Sequence, residues 1–343
     1  MRAVVLTKTG GPGVLQVQER PDPVPGPGEL RIAVRAAGIN FAELLARVGL
    51  YPDAPKTPCV LGYEVAGVVE SLGEGVSGYA VGDRVVAGTR FGGQAELVCV
   101  AEGDALPLPE QLSFEQGAAF PVNYGTAYAA LTIMGGMRAG DRVLIHSAGG
   151  GVGISAIQLA RNAGAEIFGT ASAAKHEAIR AHGLTHAIDY RTQDFEDEVM
   201  RLTGGEGVDL IIDPLGPTSF RKDYRLLRQG GRLVMFGLSE ASSAGARDLP
   251  ATLKSLAKMP LATMPWWKSL SMMNENKGVF GLNMLSWWDR EGSLDRLTEP
   301  LMADLESDRL EPVVGASFSF EQAGEAHEFI AQRRNVGKVV LLP

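Results

Sequence analysis

From Asp141 onward, short apolar runs alternate with helical segments five times over. The runs are RVLIHS, EIFGTA, HAIDY, VDLIIDPLG and GRLVMFG, and the segments between them include ISAIQLARNAG, AKHEAIRAHG and FEDEVMRLTG. Strands this apolar need cover on both faces. Strands separated by helices are joined by right-handed crossovers, which makes a parallel sheet with helices on both sides. The pattern therefore predicts a doubly wound α/β domain.

The first run ends in a glycine turn, SAGGGVG. Ala148, Gly150 and Gly153 occupy the three positions of the G-x-G-x-x-G fingerprint, with Gly151 and Val152 between them. The first position needs a tight turn, the second a close approach of backbone to a pyrophosphate, and the third close packing of helix on strand. The helix that opens there offers its free N–H groups to phosphate. A glycine motif alone is a weak signal. Placed after an apolar strand and before a helix, it marks a dinucleotide site.

The end of the second strand selects the dinucleotide. NAD sites carry an Asp or Glu there for the ribose hydroxyls. Here the chain reads TASAAK, with Ser172 and Lys175, and Tyr190 ends the next strand. A hydroxyl and a cation suit the 2′-phosphate of NADPH, with Tyr190 closing the pocket. The competing reading of Lys175 is a solvated helix lysine, which is common.

The first third of the chain has another texture. RAVVL, ELRIAVRAAGI, YEVAGVVESLG, DRVVAG and AELVCV are short apolar runs separated by turns such as PVPGPGE. Such spacing predicts a β sandwich or barrel. SFEQGAAFPVNYGTAYAAL then reads as helix, with Ser113 as its cap. KGVFGLNM reads as one more strand, and the tail from Leu310 as strand, helix, strand. That tail is too short to stand alone, so it is expected to complete the β-rich domain. The expected layout is residues 1–121 plus 286–343 as one domain, with 122–285 inserted as the cofactor domain.

Composition narrows the function. The net charge is −8 and no basic run occurs, which argues against a nucleic-acid surface. Cys59 and Cys99 are the only cysteines, a usage that fits a reducing compartment. The N-terminal MRAVVLTKTGG lacks the apolar core of a signal peptide. No uncharged apolar run approaches the roughly 18 residues of a membrane span. The expectation is a cytoplasmic protein.

Taken together, PGPGELRIAVRAAGINFAELLARVGLYP, VLGYEVAGVVESLGEGV, GDRV, AGGGVG and NVGKVVL resemble the medium-chain dehydrogenase/reductase superfamily, in its zinc-independent quinone oxidoreductase (zeta-crystallin-like) branch. NYGTAY, GTASAAKHE, THAIDY and DPLG are similar to the subgroup of synaptic vesicle membrane protein homologues. The resemblance spans nearly the whole chain. It implies a Rossmann sheet inserted in a GroES-like β-rich catalytic domain, a cleft between the two, and a homodimer formed through the Rossmann sheet edges.

The resemblance also supplies site residues. Where metal-dependent members carry a ligand Cys, this chain reads Gly38–Asn40. Their Gly-His-Glu reads Gly62-Tyr63-Glu64 here, and the four-cysteine run of structural zinc is missing. His146, His176, His182, His186 and His327 show no ligand spacing, so no metal is expected. Asn40 and Tyr51 are implied as groups that polarise the acceptor, with Tyr63 and Thr126 facing the same place. Asn40 also fits a plain turn residue, and Tyr51 plain packing. Phe236, Gly237 and Leu238 are implied beside the nicotinamide ribose, and Asn335 as a cofactor contact from the tail.

Without zinc, hydride addition to an activated C=C or a quinone is easier than ketone reduction, because a few neutral donors suffice for the developing oxyanion. The expected activity is NADPH-dependent reduction of a small hydrophobic quinone or α,β-unsaturated carbonyl. An enoyl-thioester reductase and a cofactor-binding regulatory or membrane-associated protein are the alternatives. The Met- and Trp-rich stretch 253–273 fits interface packing, a substrate lid or a membrane patch. Its three lysines are few for lipid anchoring, so membrane contact is disfavoured.

Overall fold

The computed structural model describes residues 1–239, 269–291 and 295–343. Val143, Leu144 and Ile145 are completely buried, as a strand sandwiched between helices must be. Arg142–Ile145 lies parallel between Glu166–Ala171 and Val208–Asp213. His186–Asp189 forms one edge of this sheet. Leu227–Met235 and then Gly278–Gly281 extend it on the other side. Numbered as the chain reaches them, the six strands lie in the order 3-2-1-4-5-6, the Rossmann arrangement. The order reverses beside Arg142–Ile145. Ligands bind in the crevice beyond the carboxyl ends of the strands at such a reversal. The helices Gly151–Asn162, His176–Ala181, Phe195–Leu202 and Phe220–Leu226 follow the first four strands.

The β-rich, GroES-like part is organised around Glu29–Ile39. This strand pairs antiparallel with Glu64–Leu72, Leu97–Ala101 and Lys338–Leu342. Arg84–Gly88 and Ala105–Pro107 continue one side of this seven-stranded sheet, and Val314–Ser319 the other. The tail thus joins a sheet begun by the first third of the chain. The helix Ala323–Ala331 forms the crossover between its two parallel strands. Arg2–Leu6, Leu15–Glu19 and Cys59–Val60 make a separate three-stranded sheet.

The segment read as one helix from Ser113 is broken. Ser113 caps Phe114–Gly117 by accepting from the Gln116 N–H at 3.2 Å, while the Gln116 side chain accepts from the Ser113 N–H at 3.0 Å. The chain restarts at Pro121–Tyr128 and passes into a π-helical turn at Ala129–Met134. Proline cannot donate to a preceding turn but suits a first helical position. Two further helices, Met284–Glu291 and Asp295–Glu306, follow the last Rossmann strand. Most of the Met- and Trp-rich stretch, including Met259, Met264, Trp266 and Trp267, lies outside the described residues. Among the described residues no helix is long and apolar enough to cross a membrane.

Candidate active site

One cavity of about 850 Å³ runs between the two parts of the chain, across the carboxyl ends of the Rossmann strands. Its floor is the glycine turn. Gly150 precedes the helix Gly151–Asn162, whose first N–H groups have no partner within the helix. Two of the turn's glycines admit no side chain. A Cβ on Gly151 would lie 2.4 Å from the Asn123 amide, and one on Gly153 2.4 Å from the Ser147 carbonyl. Ala148, at the first fingerprint position, is buried and donates its N–H to Thr170 at 3.0 Å. Gly150, Gly151, Val152 and Gly153 line the cavity.

Cations gather at one end. Ser172, Lys175, Tyr190 and Asn335 line it, together with Arg333, which the sequence reading missed. Lys175 is half-buried, not a solvated lysine, and its ammonium donates to the Asn335 carbonyl at 2.5 Å. Burial lowers its pKa to about 8, helped by the like charges of Arg333 and Arg191. The Arg333 guanidinium sits 5.8 Å from the centre of the Tyr190 ring. Arg333 holds φ at +55°, a costly conformation for a residue with a side chain. Nothing in the string QRRNVGK distinguishes it from its neighbour Arg334. The Asn335 amide donates back to the Gly337 carbonyl at 2.8 Å, so it braces its own segment.

In the middle of the cavity, Phe236, Gly237 and Leu238 follow the fifth Rossmann strand. The Phe236 N–H donates to the Asp213 carbonyl and the Ser239 N–H to the Pro214 carbonyl, each at 2.9 Å. A Cβ on Gly237 would lie 2.7 Å from the Pro214 carbonyl oxygen. Asp213 is buried and accepts from the Leu215 N–H and the Ser219 hydroxyl, which fixes that turn.

The opposite end holds Asn40, Tyr51, Tyr63 and Thr126 against Leu285 and Trp288. The Tyr51 and Tyr63 rings meet edge to face with centroids 6.5 Å apart. Burial raises the pKa of both phenols, so both are neutral donors at physiological pH. The Tyr63 hydroxyl is buried without a hydrogen bond of normal geometry, and Tyr51 is the polar neighbour that bears most on it. Asn40 lines the cavity with its side chain held by two partners. Its Oδ1 accepts from the Lys338 ammonium at 2.6 Å, and its Nδ2 donates to Glu64 at 3.0 Å. An ammonium has only donors, so the oxygen must face it. Both ends of the amide are therefore engaged. Glu64 also accepts from the Val122 N–H at 2.8 Å, in addition to its buried ion pair with Lys338. Beside them, burial pushes the Glu43 carboxyl up to about 8.

The zinc-ligand positions hold donors that do not fit zinc. Gly38, Asn40 and Tyr63 supply neither thiolate nor imidazole, the ligands a catalytic zinc takes. Among the described residues, the three ligand-type side chains that converge are His146, Asp213 and Asp223. They are satisfied internally. His146 bonds Asp223 at 2.9 Å and Thr170 at 3.0 Å. Burial and the neighbouring Asp223 raise Asp213 to about 8, so it keeps its proton at neutral pH.

Comparison with known proteins agrees with this architecture. Residues 26–110 match the alcohol dehydrogenase GroES-like domain family and residues 182–341 the zinc-binding dehydrogenase family. The human synaptic vesicle membrane protein VAT-1 homolog is 39% identical over 100% of this chain and 86% of its own length. The chain belongs to the medium-chain dehydrogenase/reductase superfamily of oxidoreductases. Human quinone oxidoreductase is 33% identical across 100% of this chain and 98% of its own. Mycobacterial Rv1454c, solved in complex with NADPH, superposes with a TM-score of 0.85 at 30% identity, covering 100% of both chains. This family member thus has the family's nucleotide-binding fold.

Proposed function

We propose that the chain is an NADPH-dependent, zinc-independent reductase of quinones or α,β-unsaturated carbonyls. The observation that carries this reading is the shared cavity, with Lys175 and Arg333 at one end and Tyr51 and Tyr63 at the other. Gly151 and Gly153 hold the turn tight against Asn123 and Ser147, and Gly150 lines the cavity where a pyrophosphate would approach the backbone. Ser172, Lys175 and Arg333 match the 2′-phosphate of NADPH, since charged hydrogen bonds to phosphate are the strong ones. The NADPH complex of the mycobacterial relative supports the same cofactor.

Bound NADPH supplies a hydride to the acceptor. The chain's own residues do the rest. Thr126 and the Phe236–Leu238 segment orient the reacting faces. Tyr51 would donate a hydrogen bond to the acceptor oxygen, where negative charge would grow, and the buried Tyr63 hydroxyl stands behind Tyr51. Their raised pKa values make them poor acids, so water completes protonation. Leu285, Trp288 and the tyrosine rings exclude water around the acceptor.

An enoyl-thioester reductase is less well supported. Coenzyme A and carrier proteins present phosphates, which call for cations at the acceptor mouth. That mouth holds Asp53, which accepts from Asn283 at 3.4 Å, and Arg90 is neutralised by Asp289. A homodimer is part of the proposal. The edge strand Gly278–Gly281 leaves Phe280 38% exposed, which suits pairing with a second copy.

The test is a fluorescence titration with NADPH and NADH, followed by NADPH oxidation with 9,10-phenanthrenequinone and a medium-chain enone. Tighter NADPH binding and consumption of either acceptor support the proposal. Preferential NADH binding refutes the cofactor assignment. Cofactor binding without turnover of any acceptor favours a binding protein instead.

A further inference from the structure

Lys338 is buried to 3% exposure in a strand of the catalytic sheet, and the side chains its ammonium contacts are far from it in sequence. Its ammonium has three acceptors: the Glu64 carboxylate, the Asn40 Oδ1 at 2.6 Å and the Asn123 Oδ1 at 3.5 Å. Three donors meet three acceptors, so the group is fully satisfied. Each acceptor leads elsewhere. Asn40 begins the helix Phe41–Arg47 below the acceptor end. Glu64 follows Tyr63. Asn123 packs against Gly151, at the first turn of the cofactor helix.

The residue before Lys338 makes a second connection. Gly337 donates its N–H to the Gly149 carbonyl at 3.0 Å and forms a parallel bridge with Gly150. Its φ is +83°, and a Cβ there would lie 2.4 Å from the Val313 carbonyl oxygen. Two residues earlier, the Asn335 carbonyl takes the Lys175 ammonium. The segment 335–338 therefore touches the cation end, the glycine turn and the floor of the acceptor end in succession.

We propose that Lys338 is a positioning residue that couples cofactor binding to the geometry of the acceptor end, through the Gly337 contact with the glycine turn and its own hold on Asn40 and Glu64. The proposal rests on reading the cavity as a cofactor and acceptor site. A bound pyrophosphate fixes the glycine turn, and with it Gly337. The constraint is passed to Lys338 by one peptide unit, and from Lys338 to Asn40, which lines the acceptor end, and to Glu64, the residue after Tyr63. Ion pairs without water are suited to this, because their geometry is tightly determined. Coupling of this kind is reciprocal between the two ligands.

The test measures binding without turnover. The affinity for 9,10-phenanthrenequinone is determined with and without saturating NADP⁺ in the wild type, in K338R and in the double variant K338M/E64Q. K338R keeps the charge but cannot reproduce the compact three-way contact. The double variant removes both charges, so neither is left buried and unpaired. In the wild type, NADP⁺ is expected to tighten quinone binding about fivefold or more. In both variants the ratio falls to near one, and the NADP⁺ affinity of each is measured alone so that every comparison is made at saturation. Thermal unfolding establishes that the variants are folded, and K338R suffices if the double variant is not. Variants that retain the wild-type ratio, or a wild type with no ratio, overturn the proposal. The ratio is decisive whether or not NADPH is oxidised, so a catalytically silent protein refutes the reductase reading alone.

Discussion

Lys175 and Asn335 lie 160 residues apart in sequence, yet the lysine ammonium donates to the asparagine carbonyl across the mouth of the cavity. The bond joins the end of the second Rossmann strand to the segment that enters the catalytic sheet. In the free protein it holds a cation ready beside Arg333. A 2′-phosphate arriving there competes with a neutral carbonyl for that cation, and a dianion is much the stronger acceptor.

Lys175→Met is therefore expected to weaken NADPH binding by on the order of tenfold to a hundredfold, the value of one charged hydrogen bond. NADH binding, which has no 2′-phosphate to lose, stays nearly constant. Parallel titrations with the two nucleotides check this.

The same lysine sets a pH dependence. Its pKa in the free protein is about 8, and phosphate favours the charged form. NADPH affinity should hold below that value and decline as the pH rises through it, with proton uptake on binding. The decline is absent for NADH and in Lys175→Met. Calorimetry in buffers of different ionisation enthalpy measures the uptake directly.

Tyr51→Phe removes a donor at the acceptor end and leaves the glycine turn intact. We expect kcat/KM for 9,10-phenanthrenequinone to fall on the order of tenfold to a hundredfold, somewhat less than loss of a full oxyanion donor. NADPH affinity should not change. Tyr63→Phe should act in the same direction, and steady-state kinetics with each variant compares the two.

Glu43 predicts a trend in stability. Its carboxyl ionises at about 8 in the folded protein against 4.5 for the ordinary group. A raised carboxyl favours folding at low pH, where both states are protonated. That contribution is lost as pH rises from about 4.5 through about 8, because the unfolded chain ionises first. Asp213, also at about 8, adds to the same slope. Glu43→Gln should flatten the decline of Tm between those limits without abolishing it, as thermal scans across pH will show.

Much of the cofactor end was legible in the sequence because it is local. The strand RVLIHS, the turn and the helix are contiguous, and Ser172 and Lys175 follow at the next strand. The acceptor end was less legible. The hold of Lys338 on the Asn40 oxygen comes from 298 residues away and leaves no local signal. Arg333 and Arg191 act through a surface built by two distant segments, and periodicity carries no information about that. Cys59–Val60 and Ala105–Pro107 are too short for an alternating pattern, and their pairing partners alone define them.

The late return of Lys338–Leu342 to Glu29–Ile39 has a consequence for how the molecule is made. The Rossmann sheet lies within one continuous stretch of chain, and its longest step in sequence joins Arg142–Ile145 to Val208–Asp213. In the catalytic sheet, Ile39 waits for Val339. Until that strand emerges, Glu64 has no countercharge, and the first third of the chain exposes the flank of its longest strand. Both ends of the cavity are therefore completed together and late, since Arg333 and Asn335 at the cation end emerge just before Lys338.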